Sequence, residues 1–376
     1  MALLLFIGGF VILPTAKMVN NVYYAFMLLP ACLVLFSKWG HSPVATPEIG
    51  FWSALLAWSI FVGVQSGEPV HHIKDVLYVA CFVFVTSHYV SAALFRTSVF
   101  ARIQFWGIAL YIIGATLFYW MSGKYAVGQK VLWLPSRLDG PNFTSMCVAA
   151  SFALALATWV RERRFMELVS GSAGALFITA YALQSRSGVV GLAFAGIIYC
   201  IHLATRSKRY ARIVGLGLAG AVVIVIAAAA LVPEVGALFA RKDAFRFEIW
   251  HAIIADWNRC GLWLGCGLDF HSSVILSSGG PIFHPHNMFL AWGVYSGLIA
   301  LLLFCGLMGL TLRRAWLSRD AWGLYLATAL FCLNFDGSKL IGNPDELWLL
   351  VLLPAALIIN QTGDKKREPN LAGGLC

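Results

Sequence analysis

Charge is what this chain has least of. Only 12% of its 376 residues are Asp, Glu, Lys or Arg, while 60% are hydrophobic and 14% aromatic. A soluble domain carries about a quarter charged residues, so this composition excludes one of any size and points to a polytopic membrane protein. No charged residue occurs from Met288 to Leu312, a run long enough for a helix to cross a hydrocarbon core of roughly 30 Å. The first segment, MALLLFIGGFVILPTAK, lacks a basic leader and a small-residue cleavage site, and is expected to stay as a short first membrane helix. Asp-x-Asp pairs and acidic clusters are missing, and the cysteines show no metal-ligand spacing. Cys32, Cys81, Cys147, Cys200, Cys305 and Cys332 fall inside apolar runs, where Cys acts as a small hydrophobe. Cys260 and Cys266 flank GLWLG, and loop geometry favours two free thiols there over a disulfide. No internal repeat is evident.

Charge-free windows delimit about 12 candidate spans: 2–15, 20–36, 50–66, 76–94, 103–122, 141–160, 168–185, 187–205, 213–232, 287–312, 321–335 and 347–362. The expectation is an all-α integral membrane protein forming a single polytopic domain over 1–376. The net charge of +10 reads as topology rather than nucleic-acid binding, because the basic residues cluster between spans. With both termini cytoplasmic, the inner loops and tail receive 16 of the 27 Lys and Arg residues. The main outer segment is then 233–285, within which Ala244–Trp257 reads as an amphipathic helix burying Phe245, Ile249, Ala252 and Ile253.

Four clusters place polar groups on the outer face: Arg137, Asp139 and Asn142 within SRLDGPNFT; Arg186 at a hairpin tip; Arg246, Glu248 and His251 on the amphipathic helix; and His284, Pro285, His286 and Asn287 before a span. Arginines with a histidine and no acidic cluster suit a large anion better than a metal, since guanidinium forks bind phosphate bidentately and keep their charge. A single charged tip squeezed between spans favours a functional Arg186. Arg137, among other charges, favours a structural one. Arg246 reads equally well as an interface anchor or a ligand. The neighbouring Asn287 and the proline turn favour function for His286, with His284 supporting it. His71 and His72, beside Lys74 and Asp75, read as solvated. Asp336, Lys339, Asp345 and Glu346 form a last outer loop, structural or acceptor-contacting.

Taken in order, RLDGPN at 137–142, SRSG at 185–188, RFEIW at 246–250 followed by GCG at 265–267, and HPHN at 284–287 with Gly293 and Ser296-Gly297-Leu298 resemble the O-antigen ligase and O-antigen polymerase superfamily, more closely its ligase branch. The resemblance covers roughly 130–310. It implies a metal-independent, inverting glycosyltransferase of the multi-helix membrane (GT-C-like) class with no cofactor. The implied donor is a glycan on undecaprenyl diphosphate and the acceptor is the lipid A-core, at the periplasmic face of a bacterial inner membrane. Arg186 and Arg246 would hold the diphosphate and His286 the attacking hydroxyl. Arg137, Asn142, Trp250, His284 and Asn287 would line the substrate site. The rival within the superfamily is a polymerase using two lipid-linked glycans, which needs a second cationic site only faintly present in Arg241, Lys242 and Arg259. Protein glycan transfer is a third branch. An anionic-solute transporter needs charges near the bilayer midplane, where this chain has almost none.

Overall fold

The structure is a computed structural model that describes residues 1–37, 46–138, 140–205, 208–233, 245–277, 280–282 and 284–360. Among the described residues every regular element is helical, and the one β-type pairing is an isolated bridge between Ile275 and Pro281. In chain order the helices are α1 (Ala2–Ile12), α2 (Ala16–Tyr23), α3 (Leu29–Ser37), α4 (Pro47–Val64), α5 (Pro69–His88), α6 (Ala92–Phe95), α7 (Ser98–Met121) and α8 (Pro141–Arg161). There follow α9 (Phe165–Leu176), α10 (Arg186–Ala204), α11 (Lys208–Leu231), α12 (Arg246–Cys260), α13 (Met288–Ser318), α14 (Ala321–Cys332) and α15 (Leu353–Ile359). Wider π turns at Tyr24–Leu28, Phe177–Ala182 and Trp348–Leu352 extend α2 into α3, lengthen α9 and lead into α15.

Among the described residues seven helices are long and apolar enough to cross a membrane: Pro47–Val64, Pro69–His88, Ser98–Met121, Pro141–Arg161, Phe165–Ala182, Arg186–Ala204 and Met288–Ser318. The other apolar helices, among them α1, α14 and Trp348–Ile359, are shorter. The physical reason is visible in α14 and the 348–359 segment. Both are packed inside the protein, with Trp322, Tyr325, Trp348 and Leu350 almost fully buried, so neighbouring helices rather than lipid enclose them. Conversely, α7 turns Ile103, Leu110 and Phe118 outward, as a lipid-facing helix does.

At the centre stands α8, buried along nearly its whole length against α7, α9, α10 and α14. Its sequence explains the position: Ser145, Ala149, Ala150, Ala153 and Ala155 are small, and small residues let helix backbones approach closely where no water drives them together. Across from them α10 presents Gly188 and Gly191. A Cβ on Gly188 would lie 2.7 Å from that of Ser145, and one on Gly191 would run into Cys332 Sγ and Ala149. This contact brings the start of α10, with Arg186, against the start of α8.

The charge-free run expected as one clean helix is broken. Gly297 sits at φ 80°, ψ 177° inside α13, a conformation that an L side chain rarely adopts. The groups freed by the break find partners outside the helix. Cys266 N–H donates to Val294 O at 2.6 Å, Leu298 N–H donates to Leu262 O at 2.9 Å, and the Trp58 indole donates to Ser296 O at 2.8 Å. The 262–266 turn is thus wedged into the kink. A disulfide between Cys260 and Cys266 closes that turn, correcting the expectation of two free thiols: α12 ends at Cys260 and the turn folds straight back, bringing the Cα atoms to 5.0 Å. The amphipathic helix begins two residues later than expected and buries Ile249, Ala252, Ile253, Asp256 and Trp257. Phe245 is not on that face; it lies exposed just before the helix with φ 62°. Trp257 packs over Gly293, joining α12 to the first turns of α13.

Candidate active site

Three helices begin at one place. Asn142 is the second residue of α8, Arg186 is the first of α10, and His286 with Asn287 immediately precedes α13. Asn287 caps α13, accepting from Phe289 N–H and Leu290 N–H at 2.9 and 3.1 Å, while its amide donates to Asn334 O at 3.0 Å. Met288 N–H donates to Leu333 O at 3.0 Å. The entrance of α13 is therefore clamped onto the loop that leaves α14, which carries Asp336.

Asp336 is the residue the sequence reading undervalued. Only 4% exposed, it meets His286 Nδ1 at 2.9 Å through one oxygen and accepts from Asn142 Nδ2 at 2.7 Å through the other. Its burial opposes ionisation, yet the hydrogen bond and charge of His286 and the Asn142 amide hold its carboxyl below the usual value. An ionised Asp336 places the imidazole proton on Nδ1 and leaves the Nε2 lone pair for a substrate proton. His286 takes a left-handed backbone, φ 50°, a strained state that persists where surroundings impose it. Here they are Asp336 and His284, whose Nδ1 accepts from His286 N–H at 3.3 Å and whose ring lies 3.8 Å from that of His286. Burial, and then the neighbouring His286, lower the basicity of His284.

The network continues to the serines that flank Arg186. Ser145 Oγ donates to Asn142 O at 2.7 Å and lies 2.7 Å from Ser185 Oγ, which in turn lies 3.0 Å from Ser187 Oγ. Neither α8 nor α10 has a side-chain cap, so the first-turn N–H groups and the positive ends of two helix dipoles point to the same corner as Arg186. Such helix starts bind anions readily.

Of the residues singled out in the sequence, the structure brings Asn142, Arg186, His284, His286 and Asn287 together. Arg137 stands beside them but is engaged by Glu346, and its backbone N–H donates to Leu13 O at 2.8 Å. Burial, with the Glu346 carboxylate next, pushes the adjacent Asp345 carboxyl up to about 8 against the pull of Arg137. Arg246 and Trp250 belong to α12, where Trp250 packs against Phe247 with rings 5.6 Å apart. His71 and His72 are not merely solvated. His72 pairs with Asp269 at 2.8 Å, because the 262–277 segment folds down onto the start of α5, and His71 pairs with buried Asp75 one turn along the same helix at 3.3 Å. His284, His286 and Asp336 also offer three ligand atoms within 4.8 Å of one another, an arrangement able to take a metal ion that linear spacing did not reveal.

At these converging helix starts a histidine oriented by a carboxylate, and so able to accept a hydroxyl proton, stands near a guanidinium able to hold an anion. Residues 171–305 match the family model described as O-antigen ligase. The chain is 30% identical over 239 residues to the O-antigen ligase of Pseudomonas aeruginosa, covering 60% of this chain and 57% of that protein; it thus spans a little over half the length of this curated relative. Over these matched segments the chain is similar to the O-antigen ligase family. Arg186, Arg246 and the 284–287 entrance lie inside the segment matched by the family model, whereas Asn142 and Asp336 lie outside it.

Proposed function

We propose that the protein is an inverting glycosyltransferase that moves a glycan from undecaprenyl diphosphate to the lipid A-core acceptor at the periplasmic face of the inner membrane. The observation that carries this reading is the His286–Asp336–Asn142 network beside Arg186 at the start of α10. His286 Nε2 takes the proton of an acceptor hydroxyl as the oxygen attacks the anomeric carbon. On the opposite side of that carbon the bond to the diphosphate breaks. Arg186 and the uncapped helix starts, with Arg246 brought from α12, stabilise the charge that grows on the departing oxygen. Trp250, His284 and Asn287 line the approach, while Arg137 with Glu346 steadies the wall. No step requires a metal, because the histidine supplies the base and the cations supply the electrostatics. A divalent ion on His284, His286 and Asp336 would compete with the bond that orients His286.

The test is transfer by the purified full chain between a lipid-linked glycan and purified lipid A-core, with chelator present. Glycan on the core is expected, and replacing His286 or Arg186 by Ala is expected to abolish it while the protein stays in the membrane. Arg186→Lys keeps the charge but loses the fork and is expected to cost about tenfold or more. A requirement for divalent metal would overturn the mechanism, and glycan lengthened on the carrier with none on the core would identify a polymerase.

A further inference from the structure

Opposite the candidate site lies a second feature that the transfer reaction does not use. α8 starts at the site and ends at Arg161; α13 starts there and ends at Ser318. At 1.5 Å per residue, the 21 residues of α8 put its far end roughly 30 Å away. Those far ends, with the starts of α7 and α14, enclose a cavity of about 420 Å³.

Four arginines line it: Arg96, Arg161, Arg314 and Arg319. Arg96 pairs with Asp320 at 2.8 Å and also donates to Leu357 O at 3.1 Å; Arg314 meets Glu48 at 3.5 Å. Arg161 and Arg319 make no ion pair among the described residues, leaving a net surplus of two guanidinium groups. Away from the arginines the lining is mainly apolar, with Phe95, Leu154, Trp322 and Ile358, and carries the hydroxyls of Thr158 and Ser318 among them. Retention of basic loops on one side of the membrane accounts for arginines on a rim. It does not account for a cavity that joins arginines to a mainly apolar lining between helices.

We propose that this cavity binds the phosphate of an anionic phospholipid, with Arg161 and Arg319 as its charge partners and the apolar lining accommodating the start of an acyl chain. Basic pockets between membrane helices hold phospholipid headgroups in this way, and guanidinium forks match phosphate oxygens. A free phosphate ion shares the headgroup chemistry but gains nothing from an apolar lining. In the orientation proposed above, the site faces the cytoplasmic leaflet.

The test uses the full chain in phosphatidylcholine nanodiscs, titrated with phosphatidylglycerol in one arm and inorganic phosphate in the other, with bound lipid counted by native mass spectrometry. Phosphatidylglycerol is expected to bind saturably. The paired change Arg161→Ala with Arg319→Ala is expected to weaken it about tenfold or more, while Arg161→Lys with Arg319→Lys keeps most of the binding. Both variants are compared with wild type as monodisperse, folded protein in phosphatidylcholine alone, so a loss seen only on titration is not a folding defect. Equal phosphatidylglycerol binding by wild type and the Ala pair would overturn the proposal. Arginine-dependent binding of inorganic phosphate that phosphatidylglycerol does not displace would also overturn it, in favour of a soluble phosphate ligand.

Discussion

Asp336 accepts two donors at once, His286 through one oxygen and Asn142 through the other. An Asn at this position offers one acceptor and one NH₂ group, so while the imidazole proton stays on Nδ1 one of the two partners faces a donor whichever way it turns, and the alternative moves that proton to Nε2 and removes the base. Asp336→Asn therefore forfeits a buried hydrogen bond and strands a donor, a structural cost of about 1–3 kcal/mol. It also lifts the negative charge that holds the His286 proton on Nδ1, and kcat is expected to fall roughly a hundredfold or more. These two consequences separate in the exchange Asn142→Asp with Asp336→Asn. There the amide now at position 336 donates to the carboxylate now at position 142, and its carbonyl accepts from His286. The Ser185 hydroxyl, which reaches the side-chain oxygen of Asn142 in the wild type, still finds an acceptor. Every hydrogen bond is restored in polarity while the carboxylate moves one residue away from the imidazole. The exchanged protein is expected to regain the wild-type stability to within about 1 kcal/mol and to remain slow. Thermal unfolding and single-turnover glycan transfer on the same preparations measure the two effects. Recovery of the rate in the exchange, or a normal rate in Asp336→Asn alone, would refute the charge-orientation argument and reduce Asp336 to a structural acceptor. Because the carboxyl is held below its usual value, its contribution to stability is present above the ordinary carboxylate pKa. It is lost only as pH falls through the lowered value.

Three further outcomes are expected. Gly297→Ala should sharply reduce the yield of folded protein on size exclusion, since φ 80° disfavours any side chain and the new Cβ would strike the Trp263 carbonyl. Cys260→Ser with Cys266→Ser removes a cross-link between residues six apart and is expected to cost about 2 kcal/mol; wild type treated with reductant should show the same lowered unfolding midpoint. Asp345→Asn should gain on wild type in urea stability as pH rises from about 4 to 8 and level off above that. The folded state holds the Asp345 proton up to about 8 whereas the unfolded chain releases it near 4, so wild type loses stability across that window.

The membrane character, the helical fold and the residues of the 284–287 entrance were all legible without a structure, for a local reason. Apolar runs, loop charge and short polar motifs are read from neighbours in the chain, and the match to the O-antigen ligase family extends over the same central stretch. Helix count was less legible, because a short apolar run reads alike whether lipid or protein surrounds it. α14 and 348–359 proved to be enclosed by protein. The kink at Gly297 looked like continuous helix because the groups that satisfy it come from Trp58 and the 262–266 turn.

His286 lies 50 residues from Asp336, and no periodicity links them. Their meeting depends on small residues that let α10 close on α8 and on the clamp of Asn287 against Asn334. Composition and local pattern determine which segments become helices and which polar groups stand at their ends. Which of those ends meet, and therefore which carboxylate orients the histidine, is decided by long-range packing, whose partners are set by shape and hydrogen bonding rather than by distance along the chain.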